Sequence, residues 1–329
     1  MKLTADLSTG SVAVEIDSSV FPPQELFGFA ERRNPKRSFL FVSQVLGRYV
    51  PVRPGLMRDT YRHLVARFPA PLPGPVLVIG MAETAIGLGA GVHSELPQGD
   101  TLYLPTTRHP LGTPLLARFS EEHSHATHQL LHMPKSPRHQ QIVREAQTLV
   151  LVDDEATTGR TLHNLARALA RAGLAPKRVI CAALTDWSDG RVDAAVSEVF
   201  PQAEVICIAL ATGRYSWTPG SDPARPQLPM PDIAERGSYD LCAEGDWGRL
   251  GLQDSVRMLR ADAHPGRRTL VIGTSEFVWQ PFLLAEELEQ SGEHVKFAAV
   301  GRSPVFKGLA IKQLVRCHDK YGLGLPNYL

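Results

Sequence analysis

The chain has 329 residues, too many for one ordinary domain, and its 43% hydrophobic and 21% charged residues exclude a disordered protein. The 35 basic and 34 acidic residues give a formal net charge of +1, so we expect no nucleic-acid partner. The four cysteines form no CxxC pair, which argues against zinc ribbons and redox dithiols. No apolar run is long enough to span a membrane and no signal peptide is evident, so we expect a cytoplasmic protein.

The first part of the chain predicts short strands and helices joined by proline-rich connections. We expect strands over residues 11–16, 76–80 and 101–104, and helices over 38–47, 60–68 and 82–92. Gly47 suits the C-cap of the first of these helices. Residues 111–137 are largely polar and rich in histidine, without a sustained apolar period, and we expect a mobile loop over 111–130.

Strands and helices continue to alternate in the middle of the chain. We expect strands over residues 149–152, 178–184 and 204–210, and a helix over 162–170. Because such alternation produces parallel βαβ units, we predict an α/β fold with a doubly wound, mostly parallel sheet. Five prolines and few aliphatic residues mark 213–235 as a linker or arm between a domain at 1–212 and a second, smaller α/β domain at 236–329.

The second domain echoes part of the first. The run Val-Leu-Val-Ile-Gly-Met-Ala-Glu that ends at Glu83 aligns with Thr-Leu-Val-Ile-Gly-Thr-Ser-Glu, which ends at Glu276. Further along, Arg108-His-Pro falls nearly in step with Arg302-Ser-Pro. The echo predicts either a divergent second copy of one βαβ unit or the likeness that any two such units share.

A polar loop between a predicted strand and a predicted helix is the main candidate site. The strand ends at two adjacent acids, Asp153 and Asp154. The loop residues are Thr157, Thr158, Gly159, Arg160 and Thr161. Amides at a helix N-terminus bind anions, threonines add donors, and glycine lets the backbone approach the ligand. The acids lie where open α/β sheets place ligands, and they suit a diol or a hydrated metal better than a second phosphate. A generic strand–loop–helix with an Asx turn is the alternative.

A second, glycine-rich segment over residues 80–91 also follows a predicted strand and opens a helix. The residues whose amides could approach an anion are Met81, Ala82, Glu83 and Thr84. The carboxylate of Glu83 would repel that anion, so we expect it to cap the helix or face a magnesium ion. Tight packing of small residues against the sheet is the alternative reading.

Arginine and histidine side chains downstream of this segment are further candidates. Arg108 follows the predicted strand at 101–104, where a guanidinium can fork onto phosphate oxygens unless it is a plain surface residue. His123, His125 and His128 lie close together, but without the ordered spacing of a zinc site. Histidines in a mobile loop could instead donate a proton to a leaving group.

The acid pair and the Thr-Thr-Gly-x-Thr loop resemble the signature of type I phosphoribosyltransferases, which bind 5-phosphoribosyl 1-pyrophosphate (PRPP). The resemblance implies that Asp153 and Asp154 hold the ribose hydroxyls with Mg²⁺, and that residues 157–161 hold the 5′-phosphate. It also implies that residues 81–84 and Arg108 contact pyrophosphate. The strand end at Asp186 and Trp187 would lie near the acceptor base, with Trp187 stacking on it or serving as an ordinary hydrophobic residue.

Other segments resemble one bacterial group, which pairs an orotate-phosphoribosyltransferase-like domain with a C-terminal domain named for a Thr-Arg-Ser-Pro motif. These segments begin at Asn34, Phe41, Ala82, Glu122 and Gly301. Here the motif reads Gly-Arg-Ser-Pro, so a role of a threonine at Gly301 is lost. The group occurs with tellurite-resistance and stress operons. Resemblance to it implies PRPP-dependent transfer to a base-like acceptor in a nucleoside-like pathway. A non-catalytic PRPP- or nucleotide-binding regulator is the alternative, and a homodimer is compatible with either.

Overall fold

A seven-stranded sheet forms the centre of the computed structural model, which describes residues 1–32, 34, 37–97, 99–120, 128–220, 246–254, 257–318 and 326–329. The described strands are β1 (Lys2–Leu7), β2 (Gly10–Ser19), β3 (Phe27–Glu31), β4 (Phe39–Ser43), β5 (Val76–Gly80), β6 (Thr101–Pro105), β7 (Leu115–Ser120), β8 (His128–His132), β9 (Thr148–Ala156), β10 (Arg178–Asp186), β11 (Glu204–Pro219), β12 (Arg268–Thr274), β13 (His294–Val300), β14 (Arg316–Cys317) and β15 (Asn327–Tyr328). The described helices are α1 (Pro23–Leu26), α2 (Pro54–Val65), α3 (Ile86–Glu95), α4 (Pro137–Glu145), α5 (Arg160–Arg171), α6 (Arg191–Val199) and α7 (Trp279–Gln290). None of these helices has the length and apolar character needed to cross a bilayer.

The central sheet has the strand order β1-β2-β11-β10-β9-β5-β6. The five strands from β11 to β6 are parallel, whereas β2 pairs antiparallel with β11 and β1 pairs antiparallel with β2. All of β5 and the first five residues of β9 are buried, which explains why both strands are continuous apolar runs in the sequence. The predicted α/β fold with a mostly parallel sheet is confirmed.

The segment that contains β4 is a strand, so the helix predicted over residues 38–47 is wrong. β4 pairs antiparallel with β3 and its side chains alternate between two environments. Phe41 packs on Trp187 with ring centroids 5.4 Å apart, whereas Val42 is buried in a smaller cluster with Val305. Aromatic and β-branched residues favour such a two-sided strand, and the pairing with β3 decides the outcome.

The linker predicted over residues 213–235 begins too early. β11 continues through Pro219 and pairs with β2 along this extension. Tyr215 and Trp217 pack against the hydrophobic core on one face of the strand, which makes the extension part of the central sheet. The rest of the predicted linker, from residue 221 onward, lies outside the described residues.

The C-terminal domain contains a βαβ unit like one in the first domain. β12 and β13 are parallel and α7 connects them, as β5 and β6 are parallel and connected by α3. The second strand of each unit pairs with a short segment from the other part of the chain. Tyr103 of β6 makes two backbone hydrogen bonds of 2.9 Å with Leu252, and Phe297 of β13 makes two, of 2.7 and 2.9 Å, with Val52. The predicted likeness of the two units is therefore confirmed in topology, and the halves of the chain interlock.

Part of the loop predicted over residues 111–130 is an antiparallel hairpin formed by β7 and β8. Alternate residues of β7, Ala117 and Phe119, are buried, which is the period-two pattern of a half-buried strand. His123 and His125 lie outside the described residues, whereas His128 begins β8.

Candidate active site

The acid pair lies at the carboxyl end of β9, next to the glycine-rich segment that follows β5. In the sheet register Val152 pairs with Gly80, and the backbone N–H of Met81 donates to the Val152 carbonyl at 3.0 Å. Asp153 and Asp154 follow directly and are half-buried. The Asp154 N–H donates to Oδ1 of Asp153 at 2.9 Å. The parallel register therefore brings the two predicted anion-binding segments to one edge of the sheet.

The loop after the acid pair has the geometry of an anion cradle. Gly159 has a φ of +75°, in the left-handed region, and is the N-cap of α5. A Cβ there would lie 3.1 Å from Cα of Val192, so the position also lacks space for a side chain. Within the described part of the chain, the amide N–H groups of Thr158, Gly159 and Thr161 donate to no protein group. These donors at a helix start can bind a phosphate.

The segment after β5 is fixed from both sides. The Ala82 N–H donates to Oγ1 of Thr106 at 2.7 Å, and Nε2 of Gln129 donates to the Ala82 carbonyl at 2.5 Å. Thr106 in turn donates to Oε1 of Gln129 at 2.8 Å, and the peptide between Ala82 and Glu83 is cis. Among the described residues, none accepts from the amides of Glu83 and Thr84. The loop thus presents two backbone donors on a rigid support.

The carboxylate of Glu83 has a partner that the sequence did not predict. Ser275 Oγ donates to Oε1 of Glu83 at 2.7 Å, and Nε of Arg302 lies 3.3 Å from Oε2. No side chain caps the N-terminus of α3, so the capping alternative for Glu83 is wrong, whereas the alternative that Glu83 faces a magnesium ion stays a prediction. Burial alone would raise the pKa of Glu83, but Arg302, Arg48 and the Ser275 hydroxyl together hold this pKa below its ordinary value. Glu83 is therefore a mostly buried, ionised group that pairs with the C-terminal domain.

Glu276, which aligns with Glu83, makes the reciprocal contact. Its Oε2 accepts from Oγ1 of Thr107 at 2.6 Å and from Nη2 of Arg249 at 2.7 Å, and its Oε1 accepts from the Arg108 N–H at 2.9 Å. Burial acts to raise the pKa of Glu276, yet His109, Arg249, Arg302 and the Thr107 hydroxyl together lower that pKa to about 2. Sequence reasoning aligned Glu276 with Glu83 but missed its role as a support for the Arg108 segment.

Arg108 is buried and not the plain surface arginine of the alternative reading. The residue is only 7% exposed, and its Nη2 lies 3.4 Å from the carbonyl oxygen of Ala82. The structure thus brings Arg108 to the same loop as Met81, Ala82, Glu83 and Thr84, as the predicted pyrophosphate region requires.

The two residues predicted to bind an acceptor lie in different environments. Asp186 pairs with Ala156 at the end of β10, is half-buried, and accepts from the Ser188 N–H at 2.7 Å. Trp187 is 0% exposed and packs on Phe27 and Phe41. Its ring faces are covered by protein, so stacking of Trp187 on an acceptor is not supported, and the hydrophobic alternative describes it better.

The β3–β4 hairpin, called the hood below, packs beside the carboxyl ends of β9 and β10 and contributes Arg37. Nη2 of Arg37 lies 2.5 Å from Oε1 of Glu155, one residue beyond the acid pair. The guanidinium also lies over the ring of Phe39, with Cζ 4.6 Å from the centroid. The signature did not single out Glu155, because its significance depends on a contact with a residue 118 positions earlier.

Comparison with known proteins assigns both parts of the chain. Residues 26–214 match the family described as "Phosphoribosyl transferase", and since they are more than half of the chain, the protein belongs to that family. Residues 249–329 match the TRSP domain that lies C-terminal to that family's domain. No curated protein matches the chain.

Several solved structures are similar to the chain at low sequence identity. Adenine phosphoribosyl transferase from Trypanosoma brucei is 12% identical, with a TM-score of 0.42 over 59% of this chain and 80% of that one. Adenine phosphoribosyltransferase from Giardia lamblia is 16% identical, with a TM-score of 0.41 over 58% and 97%. Orotate phosphoribosyltransferase from Aeropyrum pernix is 16% identical, with a TM-score of 0.32 over 54% and 80%.

Proposed function

We propose that the protein transfers the 5-phosphoribosyl group of PRPP to a nitrogen of a base-like acceptor and releases pyrophosphate. The observation that carries this proposal is the common location of three elements at one sheet edge. These are the Asp153–Asp154 pair, the cradle at residues 157–161, and the rigid loop at residues 81–84. A ligand with two anionic ends and a diol between them matches such a site, and PRPP has that composition. Membership of the family supports the same substrate.

In this proposal each element of the site binds one part of PRPP. The unpartnered amides of the cradle and its threonine hydroxyls take the 5′-phosphate, with the macrodipole of α5 adding a favourable charge. Asp153 and Asp154 accept hydrogen bonds from the ribose hydroxyls. The amides of Glu83 and Thr84, with the Arg108 guanidinium, take the pyrophosphate.

The donor set fits a magnesium ion that arrives with the substrate. The described residues contain no cluster of three or more histidine, cysteine or acidic side chains suited to hold a metal by themselves. In other proteins magnesium is usually bound by one or two carboxylates together with substrate phosphates, and Asp153 and Asp154 supply such carboxylates here. When bound, the ion would neutralise charge on the pyrophosphate.

The chemistry is a substitution at C1′ of the ribose. The bond from C1′ to the pyrophosphate oxygen breaks, its electron pair leaves with pyrophosphate, and positive charge develops on the ring. Arg108 and the loop amides stabilise the departing anion because they are fixed before the reaction. The acceptor nitrogen then forms the bond to C1′ with its lone pair and releases its proton to solvent water. His123 and His125 are proposed as donors to the leaving pyrophosphate, because the sequence between residues 111 and 130 is rich in histidine.

The acceptor is proposed to bind between Asp186 and the hood. Asp186 would accept a hydrogen bond from an acceptor N–H, and Arg37 with Glu155 offers one donor and one acceptor group under the β3–β4 hairpin. A base-like heterocycle of a nucleoside-like pathway, linked to tellurite or stress resistance, is the acceptor class that the sequence resemblance implies.

Incubation of the protein with PRPP, Mg²⁺ and a cell metabolite extract tests the proposal. We expect steady pyrophosphate release and a new mass that equals an extract component plus a 5-phosphoribosyl group. The D153N/D154N variant is the control and should yield neither. PRPP binding without pyrophosphate release in the presence of the extract would favour a regulator over an enzyme.

A further inference from the structure

An acid in the pyrophosphate loop conflicts with the proposed function unless its charge is compensated. Glu83 lies between the loop amides that would take pyrophosphate, and two like charges at close range repel each other. Its side chain is mostly buried, so water screens this repulsion poorly. A neutral residue at position 83 would avoid this repulsion, but the chain has a glutamate there.

The charge that directly contacts the Glu83 carboxylate comes from the C-terminal domain. Nε of Arg302 lies 3.3 Å from Oε2 of Glu83, and the two side chains are 9% and 13% exposed. Ser275 Oγ donates to the other carboxylate oxygen at 2.7 Å. Both oxygens of Glu83 are thus engaged by residues at the carboxyl ends of β12 and β13, some 200 positions away in the sequence.

Arg48 has a different task in the same cluster. Its guanidinium donates to three backbone carbonyl oxygens, those of Val300 at 2.6 Å, Glu83 at 2.8 Å and Ser275 at 2.5 Å. It therefore joins the backbones of the two domains and adds positive charge near Glu83. Arg302 is the arginine that meets the Glu83 carboxylate directly, and its Nη2 also lies 3.9 Å from Oε1 of Glu276.

We propose that Arg302 of the C-terminal domain is a positioning residue for pyrophosphate binding. It acts by drawing the Glu83 carboxylate to the domain interface and neutralising it, so that the loop amides of Glu83 and Thr84 face the pyrophosphate of PRPP without a repelling charge. This inference rests on the proposed function and assigns the C-terminal domain a part in that site.

The inference predicts that the effect of Arg302 depends on the charge at residue 83. We would measure the affinity for PRPP with Mg²⁺ by calorimetric titration for the wild type, R302Q, E83Q and E83Q/R302Q. R302Q should lower the affinity at least about fivefold, because an uncompensated carboxylate remains in a poorly screened site. E83Q should raise it, and R302Q added to E83Q should change it less than about twofold, as expected for two coupled residues.

A matched control separates this effect from a general loss of arginines in the domain. Arg260 pairs with Glu287 on the surface of the same domain, with 65% of its side chain exposed. R260Q should leave PRPP affinity and the unfolding temperature unchanged.

Two results with a folded R302Q would overturn the inference. An equal loss from R302Q in both backgrounds would mean that Arg302 contacts pyrophosphate itself, and no loss in a folded R302Q would mean a purely structural role. If R302Q does not fold, E83Q and E83Q/R302Q decide the question, because they should bind PRPP with similar affinity and more tightly than the wild type. Absence of PRPP binding by the wild type would instead defeat the proposed function, and the inference with it.

Discussion

The carboxylate of Glu276 accepts a hydrogen bond of 2.9 Å from the backbone N–H of Arg108, which lies 168 positions earlier in the chain. Glu83 makes the matching contact in the opposite direction, to Ser275 and Arg302. Each of the two aligned glutamates thus contacts the βαβ unit to which it does not belong. The contact lies at or next to the arginine that follows the second strand of that unit, Arg302 for Glu83 and Arg108 for Glu276. The C-terminal domain is therefore built into the edge of the sheet where the site lies.

Neutralising Glu276 should destabilise the whole chain. E276Q would leave the mostly buried Arg249 without its carboxylate partner, and we expect the free energy of unfolding to fall by about 3 kcal/mol. The matched control is E287Q, which breaks an exposed pair with Arg260 and should cost less than about 1 kcal/mol. Urea unfolding of both variants measures the difference, and equal costs would show that the interface pair adds no more than a surface pair does.

Alanine at the two ends of α5 should have different effects on PRPP binding. Gly159 and Gly173 have φ values of +75° and +90°, so either alanine would be strained by about 1–2 kcal/mol. A Cβ at Gly159 would also press on Val192, whereas nothing lies within 4 Å of one at Gly173. We expect G159A to lower PRPP affinity at least about tenfold and G173A to leave it unchanged. Calorimetric titration distinguishes them, and equal affinities would remove the cradle from the site.

Acid should destabilise the protein through His93 before the carboxylates titrate. Burial is the main cause that lowers the pKa of His93 from 6.5 to about 4. The unfolded chain therefore binds more protons than the folded chain between these values, and stability falls as the pH falls through this window. The lowered pKa of Glu276 acts in the same direction below about pH 4.5, the ordinary value for a glutamate.

Urea unfolding at about pH 7 and pH 5 checks the His93 contribution, which we estimate at about 2 kcal/mol over this interval. The control is H93Q, whose side chain keeps an amide for Thr101 but does not titrate. H93Q should lose less stability than the wild type over the same interval. The same loss in both proteins would assign the acid sensitivity to other groups, such as His109 and His132, whose pKa values are also lowered by burial.

The β7–β8 hairpin should become more protected when PRPP binds. Asn164 of α5 donates to the carbonyl of Ser120 at 2.9 Å, so the end of β7 is attached to the helix that begins at the cradle. We expect amide hydrogen exchange over residues 115–120 and 128–132 to slow with PRPP and Mg²⁺. Exchange in β1, the outermost strand of the central sheet on the side away from β5 and β6, is the internal control. Unchanged exchange in the hairpin would remove its role as a cover for the site.

The sequence was sufficient for the parts of the site that depend on local order. The apolar run at 149–152, the acids that follow it and the threonine-rich loop are consecutive, so their placement follows from the strand–loop–helix pattern. The central sheet was also predictable, because buried parallel strands are apolar throughout, as at residues 76–80.

Contacts between distant segments could not be predicted in the same way. Nothing local to Glu83 indicates Ser275, which lies 192 positions away, and the expected cap on α3 was the best local use of that carboxylate. The helix predicted at 38–47 failed for the same reason, since pairing with β3 outweighs the local pattern. The sequence left Trp187 as either a ring that stacks on an acceptor or an ordinary hydrophobic residue, and only its contacts with Phe27 and Phe41 decide for the second.

Calorimetric titration of PRPP with Mg²⁺ into the wild type and the D153N/D154N variant tests the central claim most directly. The two asparagines keep the size of both side chains and remove their charge, and both positions are half-buried, so the variant should fold. We predict saturable binding of one PRPP per chain to the wild type, and an affinity at least about tenfold lower for the variant, the scale of one lost charge-assisted contact. An unchanged affinity in a variant that unfolds at the wild-type temperature would contradict the claim.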